Sequence, residues 1–157
     1  MSWLLDTCVV SELVRPRPKA SVLAWLDGCS EDDLFLSVIT IGELEKGIAK
    51  LADSTKRAKL EQWVRRELAD RFRDRLLSID AGVATRSGAM VGTSETQGRP
   101  LPVIDSLIAA TGLQHDLTVV TRNTGDLDRC GARCFDPWIG KQGSARRPRP
   151  VTRRSHN

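Results

Sequence analysis

The stretch "SWLLDT", residues 2–7, joins a short apolar run to a carboxylate. Trp3, Leu4 and Leu5 form a run that is too short for a helix and is typical of a buried strand. Asp6 follows this run directly, so it lies at the carboxyl end of the predicted strand. In a parallel α/β sheet, ligands bind in the crevice beyond these strand ends. The stretch therefore predicts a strand that carries a functional acid.

Short apolar runs alternate with amphipathic stretches along the rest of the chain. The further predicted strands are residues 34–38, 76–79, 117–120 and 133–135. The predicted helices are residues 20–26, 41–51, 60–68, 83–91 and 104–113. Strands separated by helices, with no hairpin signal such as Asn-Gly between them, indicate parallel strands joined by crossovers. The sequence therefore predicts an α/β fold with a central parallel sheet.

The charge of the chain is divided unevenly. Residues 141–157 hold six of the 24 Lys and Arg residues and no acid, which leaves 18 basic and 20 acidic residues in residues 1–140. The segment is also rich in Pro, Gly and Ser, a composition that is typical of disorder. We predict a folded domain over residues 1–140 and a basic, disordered tail over 141–157. The tail either binds nucleic acid phosphates or is a solvated end without a specific role.

Several classes of protein and site are disfavoured. The chain has no apolar run long enough for a membrane span and no secretory signal pattern, so we expect a cytoplasmic protein without membrane contact. The four cysteines are expected to be reduced, although Cys130 and Cys134 form a C-x3-C that is also half of a possible zinc site. No phosphate-binding loop or serine-nucleophile motif occurs. His115 is predicted in a turn between helix and strand, which disfavours histidine catalysis.

Three more acids follow predicted strands or begin predicted helices. Glu43 follows the second strand, Asp105 begins the helix "DSLIAAT", and Asp126 lies in "TRNTGDL" after the fourth strand. Each of the four acids, Asp6 included, has a structural alternative, because carboxylates near helix starts commonly cap the backbone. Thr40 and Glu43 even fit a T-x-x-E capping box. Spacing alone leaves both interpretations open.

Clustered carboxylates have a defined chemistry. They repel one another, and their pKa values rise unless a cation neutralises them. Hard oxygen ligands select Mg²⁺ or Mn²⁺ over Zn²⁺. Water bound to such an ion becomes a nucleophile for phosphodiester cleavage. This chemistry requires no histidine or cysteine.

The order of four segments resembles the PIN-domain ribonucleases, in particular the VapC-type toxins of bacterial toxin-antitoxin pairs. These segments are "LLDTCVVSEL", "SVITIGELEKGI", "PVIDSLIAATGLQHDLTVVTRNTGDL" and "CFDPW", and they span about Leu4 to Trp138. The resemblance implies a PIN-like α/β/α sandwich around a central parallel sheet. It also implies a magnesium-dependent endoribonuclease that hydrolyses RNA with metal-activated water.

The resemblance assigns roles to particular residues. The implied catalytic acids are Asp6, Glu43, Asp105 and Asp126. Of these, Asp6, Asp105 and Asp126 are the implied ligands of Mg²⁺, for which Mn²⁺ is expected to substitute. Thr7 and Asn123 match polar residues that orient water or a carboxylate, although each can equally satisfy local backbone groups.

The resemblance also implies partners. These are an RNA substrate, a cognate antitoxin that covers the acidic pocket, a second copy of the chain in a homodimer, and promoter DNA reached only through the antitoxin complex. The alternative function is a noncatalytic PIN-like module that binds nucleic acid or protein, in which the acids cap helices and the tail supplies electrostatic affinity.

Overall fold

A six-stranded sheet forms the centre of the protein, in the order β3-β2-β1-β4-β5-β6. The structure, a computed structural model, describes residues 1–142. The strands are β1 Trp3–Leu5, β2 Leu34–Ser37, β3 Leu76–Leu77, β4 Thr118–Val120, β5 Cys134–Asp136 and β6 Lys141–Gln142. Strands β1 to β5 pair in parallel, which confirms the predicted parallel sheet, and β6 pairs antiparallel with β5.

Strand β6 was not predicted. It begins at Lys141, the residue assigned to the start of the tail, and its pairing with β5 extends the sheet beyond residue 140. The predicted tail otherwise lies outside the described residues. The division into a domain of residues 1–140 and a tail stays a prediction.

Helices connect the parallel strands. They are α1 Thr7–Glu12, α2 Ala20–Asp27, α3 Val38–Ala49, α4 Thr55–Gln62, α5 Ala69–Arg71, α6 Ala81–Thr96, α7 Val103–Gln114 and α8 Thr124–Arg129. The predicted helix around residues 60–68 is part of a longer helical stretch, in which a π-helical segment, Trp63–Leu68, joins α4 to α5. Helices α1 and α8 show no periodic signal in the sequence, because six residues span less than two turns.

Two hydrophobic clusters lie on opposite faces of the sheet. Leu5 belongs to one cluster, with Val9 and Phe72, and Leu4 belongs to the other, with Ile108 and Leu127. Adjacent residues separate in this way because side chains alternate across a strand. The result is the predicted three-layer α/β/α arrangement. Within residues 1–142, no helix is both long and apolar enough to cross a membrane.

The register of β1 and β4 determines where the site forms. Leu5 pairs with Val120, and the Asp6 backbone N–H donates to the Val120 carbonyl at 3.0 Å. Asp6 and Thr121 therefore leave adjacent strands at the same level of the sheet. Residues more than a hundred positions apart in the chain become neighbours there.

Candidate active site

Asp6 is held on both carboxylate oxygens. Its Oδ1 accepts from the Thr7 backbone N–H at 2.8 Å, which makes Asp6 the N-cap of α1. Its Oδ2 accepts from the Thr121 hydroxyl, also at 2.8 Å. The capping interpretation of Asp6 is therefore correct. It does not exclude a functional role, because the same carboxylate that caps α1 also lines the cavity at the strand ends.

Glu43 is fixed by a side chain from another element. Its Oε1 accepts from the Thr7 hydroxyl at 2.7 Å, which ties α3 to the start of α1. The capping-box interpretation of Thr40 and Glu43 is wrong, because α3 begins at Val38 and Ser37 caps it by accepting from the Ile39 N–H.

Asp105 lies in the first turn of α7, close enough to the other predicted acids for their charges to act on its carboxyl. Burial raises the pKa of its carboxyl, and the negative charges of Asp6, Asp126 and Glu43 raise it further. No ion pair within residues 1–142 neutralises Asp105, Asp6 or Glu43. The fold thus gathers acids that are distant in sequence into one negative region.

Asp126 lies at the edge of this region. It is in the first turn of α8, and its Oδ1 accepts from Arg129 Nη2 at 2.7 Å. Arg129 therefore competes with any metal ion for the Asp126 carboxylate, and the ion pair is partly exposed. Asp126 does not line the cavity that holds the other three acids. Its charge nevertheless contributes to the raised pKa of Asp105.

The acidic pocket is an open cavity of about 530 Å³ at the carboxyl ends of β1, β2 and β4. Its walls include three of the predicted catalytic acids and both predicted orienting residues. The lining residues are Asp6, Thr7, Cys8, Ser11, Glu43, Asp105, Arg122 and Asn123. The cavity has room for a phosphate group and solvent beside the carboxylates.

Sequence reasoning missed Thr121. It is fully buried, and its hydroxyl donates to Asp6 and accepts from the Asn123 backbone N–H at 3.0 Å. It therefore couples the carboxylate after β1 to the loop after β4. The only signal was its place at the start of "TRN", directly behind a strand.

The Asn123 side chain makes no capping bond to α8, and the Arg122 guanidinium lies 5.1 Å from the centre of the Trp138 ring.

The donor set fits a hard divalent cation bound with its waters. In residues 1–142, no group of three or more His, Cys, Asp or Glu side chains stands close enough to hold a metal ion by itself. Mg²⁺ usually keeps several waters and needs only one or two carboxylates. The site therefore suits an ion that keeps several of its waters better than an ion coordinated by protein ligands alone. The ligand set Asp6, Asp105 and Asp126 stays a prediction.

The zinc alternative has no support from the two cysteines. The Cys130 thiol donates to the Asp126 carbonyl, and the Cys134 thiol donates to the Ala132 carbonyl. All four cysteines are free, as expected. His115 follows the C-terminus of α7, as predicted, whereas Asp105 is near the N-terminus of the same helix.

We expect the fold to lose stability as pH rises through the titration of Asp105. Its pKa is raised in the folded chain above the ordinary value of 3.8, so the unfolded chain releases the proton first. The penalty is absent below 3.8 and complete above the folded pKa. Asp105→Asn should therefore be more stable than the unaltered chain at neutral pH, and the difference should vanish in acid. Urea unfolding in the presence of chelator measures this, and a less stable variant at neutral pH would contradict it.

Known proteins match most of the chain. A family model for the PIN domain matches residues 3–132. Toxin FitB of Neisseria gonorrhoeae is 38% identical over 135 residues, which are 86% of this chain and 97% of that protein. VapC ribonuclease Y4jK of Sinorhizobium fredii is 31% identical over 135 residues, which are 86% of this chain and 96% of that protein. The structure of FitAB bound to an IR36 DNA fragment superposes with a TM-score of 0.81 at 37% identity, covering 87% of this chain and 95% of that one.

Proposed function

The chain belongs to the PIN-domain family, and we propose that it is the ribonuclease toxin of a toxin-antitoxin system. Its substrate is RNA, and the reaction is hydrolysis of a phosphodiester bond. The nuclease domain is residues 1–140. The proposed catalytic acids are Asp6, Glu43, Asp105 and Asp126.

The convergence of these acids is the observation that carries the proposal. Asp6, Glu43 and Asp105 come from separate parts of the chain and line one cavity. Burial raises the pKa of the Asp105 carboxyl, and the charges of Asp6, Asp126 and Glu43 raise it further. A purely structural arrangement would disperse or pair such charges, because their mutual repulsion destabilises the fold. Asp6, Glu43 and Asp105 have no salt-bridge partner within residues 1–142, and acids in this state are what a cation-dependent site requires.

PIN-domain nucleases generally use a divalent metal ion. We propose Mg²⁺ as the ion for this chain, with Mn²⁺ able to substitute. When bound, it supplies a water acidic enough to attack a phosphodiester. Asp6 and Asp105, on the cavity wall, would hold this ion, and Asp126, in the first turn of α8, would assist from the edge.

The remaining residues keep these acids in position. Thr121 and the Thr7 backbone fix the two oxygens of Asp6, and the Thr7 hydroxyl fixes Glu43. Groups that are oriented before the substrate arrives need little reorganisation during the reaction. Asn123, on the cavity wall, orients water or the phosphate.

The partners follow from the relatives. A solved relative is the FitAB complex bound to DNA. This chain correspondingly pairs with an antitoxin that neutralises it, and the complex binds promoter DNA. The proposal includes a homodimer and a cytoplasmic location, where RNA and antitoxin are both present.

Two observations favour the noncatalytic module as the second candidate. Among the described residues no three acidic side chains form a ready metal group, and Asp6 does cap a helix. On this alternative, the chain binds RNA without cutting it.

Cleavage of labelled RNA by the purified chain separates the two functions. We expect product that requires Mg²⁺ or Mn²⁺, disappears with chelator and returns when the ion is restored, since the acids alone provide no nucleophile. The antitoxin should suppress the same reaction. RNA binding without product at any concentration of either ion would establish the noncatalytic alternative.

A further inference from the structure

The acidic pocket has a basic side chain on its wall. Within residues 1–142, Arg122 is the single cation among the lining residues, which also include the carboxylates of Asp6, Glu43 and Asp105. Its guanidinium nevertheless forms no salt bridge with any acid in this part of the chain. A guanidinium that served to neutralise the acids would lie within ion-pairing distance of one of them. The donors of Arg122 are therefore not occupied by these carboxylates.

The loop after β4 fixes the backbone of Arg122. The Arg122 N–H donates to the Cys8 Sγ at 3.5 Å, so this backbone is tied to α1. The preceding residue, Thr121, donates its hydroxyl to the Asp6 carboxylate at 2.8 Å. The Arg122 side chain thus begins at a point that two hydrogen bonds hold close to Asp6.

Trp138 supports the other end of the side chain. The Arg122 guanidinium carbon lies 5.1 Å from the centre of the Trp138 ring, within the range of a cation–π interaction. Trp138 packs against the hydrophobic cluster that contains Leu5 and Val9. Its backbone N–H donates to the Asp136 carboxylate at 2.8 Å. An exposed arginine that rests on such a fixed ring loses less conformational freedom when it binds a ligand.

The chemistry of this wall suits a phosphate group. A guanidinium presents a planar fork of donors that matches two oxygens of a phosphate. The carboxylates of the same cavity repel an anion, so a phosphate that approaches them needs positive charge close by. Arg122 supplies that charge inside a cavity of about 530 Å³, which has room for a phosphodiester.

We propose that the Arg122 guanidinium contacts the reacting phosphodiester of the RNA, and that Trp138 is the positioning residue that holds this guanidinium at the cavity. This inference rests on the proposed nuclease function. Contacts with phosphate carry no direct sequence information. Arg122 therefore contributes affinity and alignment and does not select a base.

Cleavage of a short single-stranded RNA, measured as kcat/KM, tests both residues. Arg122→Gln should lower kcat/KM by about tenfold, because a charge-assisted contact with phosphate is lost at an exposed position. Arg122→Lys should recover part of this loss, since it returns the charge without the planar fork. Arg73→Gln is the matched control, because Arg73 is an exposed arginine that lies outside the acidic pocket and pairs with the exposed Asp70.

The role of Trp138 is tested by a double-mutant cycle. Trp138→Leu keeps an apolar side chain and removes the ring, so kcat/KM should fall by about threefold. The same substitution should have no further effect in the Arg122→Gln background, because the ring acts through the guanidinium. An equal loss in both backgrounds would contradict the positioning role. Thermal unfolding shows whether Trp138→Leu folds, and the variants of the exposed Arg122 decide the matter if it does not.

Binding of Mn²⁺ to the chain without RNA separates a phosphate contact from a structural role. Arg122→Gln removes a positive charge from the wall that carries the acids, so the affinity for Mn²⁺ should stay the same or rise. Electron paramagnetic resonance of the free ion measures this affinity. Weaker binding of Mn²⁺ would show that Arg122 maintains the arrangement of the acids, and it would overturn the assignment.

The remaining outcomes separate the two levels of the proposal. If the unaltered chain cleaves RNA and Arg122→Gln cleaves it equally well, Arg122 is not a phosphate ligand. Weaker inhibition of that variant by the antitoxin would then assign the guanidinium to the protein partner. If the unaltered chain cleaves no RNA, the proposed function fails and the inference fails with it.

Discussion

Asp6→Asn is expected to lower the rate of RNA cleavage by about a thousandfold or more while the chain stays folded. Asparagine has the same shape and keeps one oxygen to accept from the Thr7 N–H, so the cap of α1 survives. The negative charge that attracts the cation is lost. Removal of a charge that acts in the transition state is worth several kcal/mol, and each 1.4 kcal/mol is a factor of ten in rate.

The measurement is single-turnover cleavage at saturating Mg²⁺, with thermal unfolding as the test of folding. Asp27→Asn is the matched control, because Asp27 is an exposed acid at the end of α2 and lies outside the acidic pocket. The control should cleave normally. Full activity in Asp6→Asn would remove the carboxylate from the mechanism and leave Asp6 as a helix cap alone.

Thr121→Val is expected to lower cleavage by about ten- to a hundredfold, the usual cost of removing a group that orients a metal ligand. Valine matches the shape of threonine but neither donates to Asp6 Oδ2 nor accepts from the Asn123 N–H. Asp6 keeps its charge and loses one of its two anchors. The effect should therefore be smaller than that of Asp6→Asn and should appear partly as a higher Mg²⁺ concentration for half-maximal activity.

The chain contains a matched control for this substitution. Thr40 is also fully buried, but its hydroxyl has no hydrogen-bond partner within residues 1–142. Thr40→Val should leave the Mg²⁺ dependence unchanged and should stabilise the fold by about 1 kcal/mol, since an unpaired buried hydroxyl is costly. Thr121→Ser should restore the activity lost in Thr121→Val. An unchanged Mg²⁺ dependence in Thr121→Val would show that the Thr121 bond is structural only.

The sequence by itself determined the architecture and the edge of the sheet where the acids lie. Strands and helices were predicted from the local periodicity of apolar residues. Short apolar runs indicated the five parallel strands, and amphipathic stretches indicated the longer helices. Strand ends were less certain, because capping residues decide them. Ser37 starts α3 at Val38, so a residue predicted as strand is helical.

Tertiary structure alone decided what each polar side chain contacts. Glu43 was compatible with a local capping box, and only the packing of α1 against α3 shows it bound to Thr7. Asp126 was equivalent to the other acids in the sequence, and its pairing with Arg129 and its place outside the pocket appear only in the fold. Thr121 became visible once the register of β1 and β4 placed it beside Asp6. The physical reason is range: periodicity and capping act within a few residues, whereas these contacts join segments that only sheet pairing and core packing bring together.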